Sequence, residues 1–183
     1  LTFRHSTILK RDAKILEGVF YGLIGSIRKG KPMKEILKVL KSQSAMKGDQ
    51  FKIAFEEFEP ANHKIARYVL IKIEESKIGR RQTPLDWNGL TLEHILAEKL
   101  DWVGREEYLE RLGNLTLLSA GMNEEAANKS FVVKKKKTYK KEKRIKITRD
   151  LIEFADFTKD TILLRQKKLV ESAAKIWDVK SIK

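Results

Sequence analysis

Helical periodicity runs through almost the whole chain and gives way to strand-like alternation in only two short places, residues 90–95 and 115–118. Two isolated strands have only each other to pair with. The expected fold is therefore mainly α, with one small β element braced by helices. Residues 9–28 place Ile15, Val19, Leu23 and Ile27 four apart, a stripe ending at Lys29-Gly30-Lys31-Pro32. A second helix is expected over Met33–Ser44, with Ile36, Leu37, Val39 and Leu40 inward, broken at Lys47-Gly48-Asp49. Phe51, Phe55 and Phe58 mark a short helix stopped by Pro60, and residues 61–76 put Ile65, Tyr68, Val69 and Ile73 on one face.

The polar loop Gly79-Arg80-Arg81-Gln82-Thr83-Pro84 is the expected boundary between a helical scaffold subdomain, 1–78, and a compact core, 88–183. Within that core, residues 101–112 form a loop and short helix carrying Trp102 and Tyr108. A turn at Ser119-Ala120-Gly121 leads to a short helix over 123–128. Residues 131–143 continue helically, with Phe131 and Tyr139 on one side. Thr148 and Thr158 are the expected N-caps of two closing helices, the last reaching Trp177 with Ile162, Leu163, Leu169, Ala173 and Ile176 inward.

Composition narrows the chemistry. The 183 residues include no cysteine, which removes disulfides, Fe–S clusters and thiol nucleophiles, so any metal is held by O and N ligands. No run of 18 apolar residues and no secretory leader is visible, and the expectation is a soluble, cytoplasmic protein without membrane contact. The chain opens at Leu1 without an initiator Met and is expected to be a fragment of something longer. Charge is partitioned: residues 91–133 hold four basic and eight acidic side chains, whereas 134–149 hold ten basic and one acidic. An acidic pocket beside a cationic surface suits a cation next to a phosphate chain. The bland alternative for such a Lys run is a solvated helix face.

One ordered set of residues carries chemistry. Glu93-His94 is followed twenty residues later by Asn114, within Gly113-Asn114-Leu115-Thr116-Leu117-Leu118, and nine residues further by Asn123. Phosphodiester hydrolysis needs a base for water, a cation on the phosphoryl oxygen and leaving O3′, and a hold on the phosphate. His94 suits the first, since a neutral imidazole accepts a proton near neutral pH. Glu93 and Asn123 offer hard oxygen ligands for Mg²⁺ or Mn²⁺. Asn114 is placed to hold the His94 ring or its backbone. His5 and His63 have no such company and read as structural or surface residues.

Glu93-His94-Ile95-Leu96, the Leu112 to Leu118 segment, Asn123, Asn128-Lys129-Ser130-Phe131 and the Lys run before Tyr139 together resemble the C-terminal HNH domain of GmrSD-type modification-dependent restriction enzymes. The layout is also similar to that of a phosphorothioate-sensing phage-defence nuclease. The resemblance is detailed over residues 88–140 and looser from about residue 50 to Trp177. It implies a His-Me finger (ββα-metal) fold with His94 as general base, Glu93 and Asn123 as metal ligands, and Asn114 organising the His loop. Asn128 and Lys129 match the family's Asn-Lys pair, near the phosphate or bracing the metal-site helix. Members commonly carry Pro-Gln where this chain has Ala97-Glu98. The resemblance further implies a separate N-terminal ParB-like nucleotidase domain as sensor, outside this sequence.

Two functions follow as expectations. The first is a metal-dependent DNA endonuclease, nicking with little sequence preference, its phosphate contacts supplied by Asn128, Lys129, Lys134, Lys135, Lys136, Lys137, Lys140 and Lys141. The second is a catalytically idle DNA- or partner-binding module in which only the basic tract acts.

Overall fold

The computed structural model describes residues 2–44, 50–78 and 86–177, so the turn at 47–49 and the boundary loop at 79–84 lie outside the described residues. The chain forms two compact units, Leu1–Glu57 with Ala173–Lys183, and Phe58–Ser172.

In the first unit a π-helical turn, Phe3–Ile8, precedes α1 (Ala13–Arg28), α2 (Met33–Ser44) and α3 (Gln50–Glu56). Asp12 caps α1 by accepting the Lys14 amide at 2.9 Å, which satisfies one of the open donors of the first turn. The buried face of α1 is Leu16 and Leu23, seven residues apart, whereas Ile15 and Ile27 are more than half exposed. Of the expected stripe Leu23 is buried and Val19 half-buried, while its two ends turn outward. Two apolar registers coexist on this helix, and packing selects the one containing Leu16. On α2, Ile36 is buried and Val39 is exposed, for the same reason. Phe51 and Phe55 are buried as expected, and Trp177 stacks with Phe3 at 4.8 Å and Phe55 at 6.2 Å between ring centroids.

The second unit begins with α4 (His63–Lys77), capped by Asn62 accepting the Ile65 amide, with Ala66, Val69, Leu70 and Ile73 buried and Tyr68 exposed. It continues through β1 (Leu90–His94), α5 (Arg105–Tyr108), β2 (Leu115–Ser119), α6 (Ala120–Ala126), α7 (Phe131–Lys134), which widens into a π turn over Lys135–Tyr139, α8 (Lys146–Arg149) and α9 (Lys159–Trp177), which belongs to this unit as far as Ser172. The strands pair antiparallel, with Leu90 opposite Ser119 and His94 opposite Leu115. A mainly helical protein with one two-stranded antiparallel sheet is the observed class.

Buried polar side chains of α8 and α9 hold the sheet in place. Arg165 on α9 is 5 % exposed and donates to the carbonyls of Leu112, Gly113 and Leu115 at 2.7 to 2.9 Å. Burial lowers its pKa to about 10. Gln166 accepts the Gly113 amide at 2.7 Å. Gly113 has no room for a side chain, since a Cβ there would stand 2.3 Å from the Ile162 carbonyl oxygen. Thr148, expected to cap a helix, instead donates to the Leu117 carbonyl at 2.6 Å and meets Thr116 at 2.7 Å from within α8. Glu74 accepts the Lys146 and Ile147 amides and so performs the capping at the start of α8. On α9, Ile162 and Leu169 are inward and Leu163 is exposed. Ile95, Leu118, Ala126, Phe131, Tyr139, Leu151, Phe157 and Ile162 form a continuous core.

Candidate functional site

Alternation along β1 sends Glu93 and His94 to opposite faces of the sheet. Glu93 points inward, is 5 % exposed, and lies 2.6 Å from the ammonium of Lys134, which is itself fully buried. Tyr139 donates to the same carboxylate at 3.5 Å. Lys134 also donates to the His94 carbonyl at 2.6 Å and reaches the Ile95 carbonyl at 3.5 Å. Burial raises the Glu93 pKa and lowers that of Lys134, and the opposite charge of each partner resists the change. Lys134, expected at a phosphate surface, is therefore an interior brace on the strand end.

His94 points the other way and is partly buried. Its Nε2 lies 2.9 Å from Glu110 Oε1, and the second oxygen of Glu110 lies 3.3 Å from Nε2 of His63, the first residue of α4. The two imidazoles meet edge to face at 6.0 Å. One ligand atom from each of His63, His94 and Glu110 falls within 4.8 Å of the others. Sequence reasoning did not find Glu110 or the part His63 plays. Glu110 is one of eight acids in its segment, sixteen residues past His94, and His63 sits in a different element.

Asn114 is fully buried and clamps the segment leaving His94. Its Oδ1 accepts the Leu96 amide at 2.8 Å, and its Nδ2 donates to the carbonyls of Leu96 and Leu109 at 3.2 and 3.0 Å. The Leu96 amide needs an acceptor, which fixes which way the side-chain amide is turned. The Asn114 carbonyl also accepts the Ile95 amide at 2.8 Å. This clamp, with Trp102 donating to the Ala97 carbonyl at 3.4 Å, holds the Ala97-Glu98 segment that follows.

Asn123 on α6 sits beside an earlier part of β1. Its Nδ2 donates to Thr91 Oγ1 at 2.8 Å and the Leu92 carbonyl at 2.7 Å, leaving Oδ1 without a partner among the described residues. Leu92 is two residues before His94, or about 7 Å along a strand. Asn128 is exposed just past α6, and Lys129 donates to the Glu125 carbonyl, closing that helix. Along the cationic tract, Lys135 donates to the Phe154 carbonyl at 2.5 Å and Lys141 pairs with Glu125 at 2.7 Å. Lys136, Lys137 and Lys140 are exposed and have no ion-pair partner among the described residues. Lys143, Arg144, Lys146 and Arg149 extend the exposed positive strip.

No helix among the described residues is long and apolar enough to cross a membrane. No curated protein matches the chain. The model of the family described as GmrSD restriction endonucleases, C-terminal domain, matches residues 46–172, which takes in β1, β2, α6 and the cationic tract. The chain belongs to that family, the C-terminal domain of the GmrSD restriction endonucleases.

Proposed function

We propose that this domain is a metal-dependent HNH endonuclease of the His-Me finger kind, which nicks the DNA phosphodiester backbone with little sequence preference. The observation that carries the reading is the state of His94: Nε2 on a carboxylate, and Nδ1 with no hydrogen-bond partner among the described residues. A carboxylate only accepts, so Nε2 carries the ring hydrogen and Nδ1 keeps its lone pair. Nδ1 takes a proton from water as the water oxygen bonds to phosphorus and the P–O3′ bond breaks, the leaving O3′ taking a proton from solvent. Glu110 then stabilises the imidazolium, and the Asn114 clamp holds the segment that aims the ring. Lys136, Lys137 and Lys140, with Asn128 nearby in the chain, meet phosphates and not bases, which accounts for low specificity. Selection of foreign or modified DNA belongs to a separate ParB-like nucleotidase domain.

Mg²⁺ or Mn²⁺ is the expected ion, and it would supply charge on the phosphoryl oxygen. Asn123 fits as a ligand because Oδ1 is open. Glu93 does not fit in this geometry, with an ammonium 2.6 Å from its carboxylate and almost no exposure, so no step here is routed through the ion. That same pair favours a second reading, a DNA-binding module without activity. Supercoiled plasmid separates the two. The purified chain with Mg²⁺ or Mn²⁺ is expected to convert it to open circles, and His94→Ala is expected not to. Binding without conversion by either protein would support the idle module.

A further inference from the structure

Three separate elements bring metal-binding side chains to one point. His63 opens α4, His94 closes β1, and Glu110 follows α5, with their ligand atoms within 4.8 Å of one another. We propose that these three residues form a site for a borderline transition metal, Zn²⁺, and that loading this site takes His94 out of its role as a base. The first half stands on the donor geometry alone, and the second half rests on the endonuclease reading.

The geometry is close to what a tetrahedral ion requires. Zinc bonds of about 2.0 to 2.1 Å hold neighbouring donors about 3.3 Å apart. Glu110 already holds one oxygen 2.9 Å from His94 Nε2 and the other 3.3 Å from His63 Nε2. The three donors, within 4.8 Å of one another, have to draw together by up to about 1.5 Å around the ion, which replaces the two hydrogen bonds and leaves the fourth position open to water. Two imidazoles and one carboxylate select zinc over Mg²⁺, which prefers an all-oxygen octahedral shell. Such a site differs in residues and in ligand type from the Asn123 oxygen discussed above.

The consequence for His94 follows from the chemistry of its ring. With Glu110 as partner, Nε2 carries the hydrogen and Nδ1 is basic. A metal ion on Nε2 uses the lone pair there, so the hydrogen moves to Nδ1, which becomes a donor and no longer takes a proton from water. Glu110 turns from orienting the base to holding the ion. Zinc at this site therefore opposes the ion that supports cleavage.

The test begins with chain stripped of metal and titrated with Zn²⁺ against a chromogenic chelator. The wild-type chain is expected to bind one zinc ion, with Mg²⁺ failing to displace it. The side chain of His63 is 66 % exposed, so His63→Ala leaves the fold intact. That variant is expected to bind zinc about 100-fold more weakly or worse, beyond the cost of losing an outer-shell partner. Cobalt(II) in place of zinc should give visible d–d absorption in the wild type and lose it in His63→Ala. No zinc binding by the wild type, or equal affinity in the variant, overturns the site. In Mn²⁺-supported nicking, with each protein compared with its own zinc-free rate, added zinc is expected to silence the wild type and leave the rate of His63→Ala unmoved at the same concentration. Zinc bound at the site with nicking unaffected overturns the switch. Nicking absent without zinc counts against the endonuclease reading, while the chelator titration still decides the site.

Discussion

At the scale of single residues, the site depends on two charged neighbours of β1 that do opposite things. Lys134 neutralises Glu93 in the interior, and Glu110 orients His94 near the surface. Lys134→Ala should destabilise the domain by about 3 to 5 kcal/mol, because it leaves a buried carboxylate without its partner. The double change Glu93→Leu with Lys134→Met should recover most of that loss, as measured by urea unfolding. A single variant that unfolds at the wild-type midpoint would remove the pair from the stability argument. Glu110→Gln keeps the shape of the side chain but presents an N–H to His94 as readily as an oxygen. Cleavage should fall while DNA affinity holds, and an unchanged rate would show that the tautomer is set by something else. The order Glu-His, Asn, Asn was legible as a set of chemically apt residue types, although the fold turns Glu93 onto Lys134 and away from His94. Glu110 and His63 were not, because their nearness to His94 exists only after folding.

Elements were read more reliably by position than by face. Both strands fall within a residue of where alternation places them, whereas α6 begins at Ala120, three residues before the expected 123, because the Ser119-Ala120-Gly121 segment read as a turn ends β2 and opens the helix. On α1 the inward face was read in part: Leu23 is buried, but Leu16 replaces the expected Ile15 and Ile27, because apolar residues occur at neighbouring helical registers and only packing decides between them. Helix α4 was grouped with the N-terminal scaffold because the polar loop at 79–84 follows it, and that loop does not reveal that its carboxylate at Glu74 caps α8. Thr148 looked like a cap for the same reason that Glu74 did not: local spacing favours short hydroxyl residues, and a cap delivered from a distant helix leaves no local trace. Burial raises the pKa of Glu74 above its ordinary value, with the two amide bonds opposing. The folded chain therefore holds this proton more tightly than the unfolded chain. Its contribution is full below the ordinary carboxylate pKa and declines as pH rises through the raised one. Unfolding free energy measured across weakly acidic pH should show that decline, and Glu74→Gln should flatten it. A variant with the same slope as wild type would assign the decline to other groups.

For the molecule as a whole, charge is sorted by depth. The tract that reads as one cationic run divides into an interior brace at Lys134, tethered members at Lys135 and Lys141, and an exposed set that includes Lys136, Lys137 and Lys140. Composition announced the net charge of +14, and the run marked where much of it lies. Which lysines face water depended on the helical turn that buries Thr138 and Tyr139. If the exposed three meet phosphates, replacing them with alanine should make the slope of log K against log salt shallower by roughly 2.7, at about 0.9 for each contact in duplex DNA. An unchanged slope would place the DNA elsewhere. Beyond binding, the central claim is that His94 is the base of a phosphodiester hydrolase. The most direct measurement is single-turnover cleavage of a defined duplex by the wild-type chain and His94→Ala at saturating Mn²⁺, with DNA affinity measured in parallel. The expected result is equal affinity and a rate lower by roughly 10²- to 10⁴-fold, the worth of a positioned acid–base group. A variant that cleaves at the wild-type rate would contradict it.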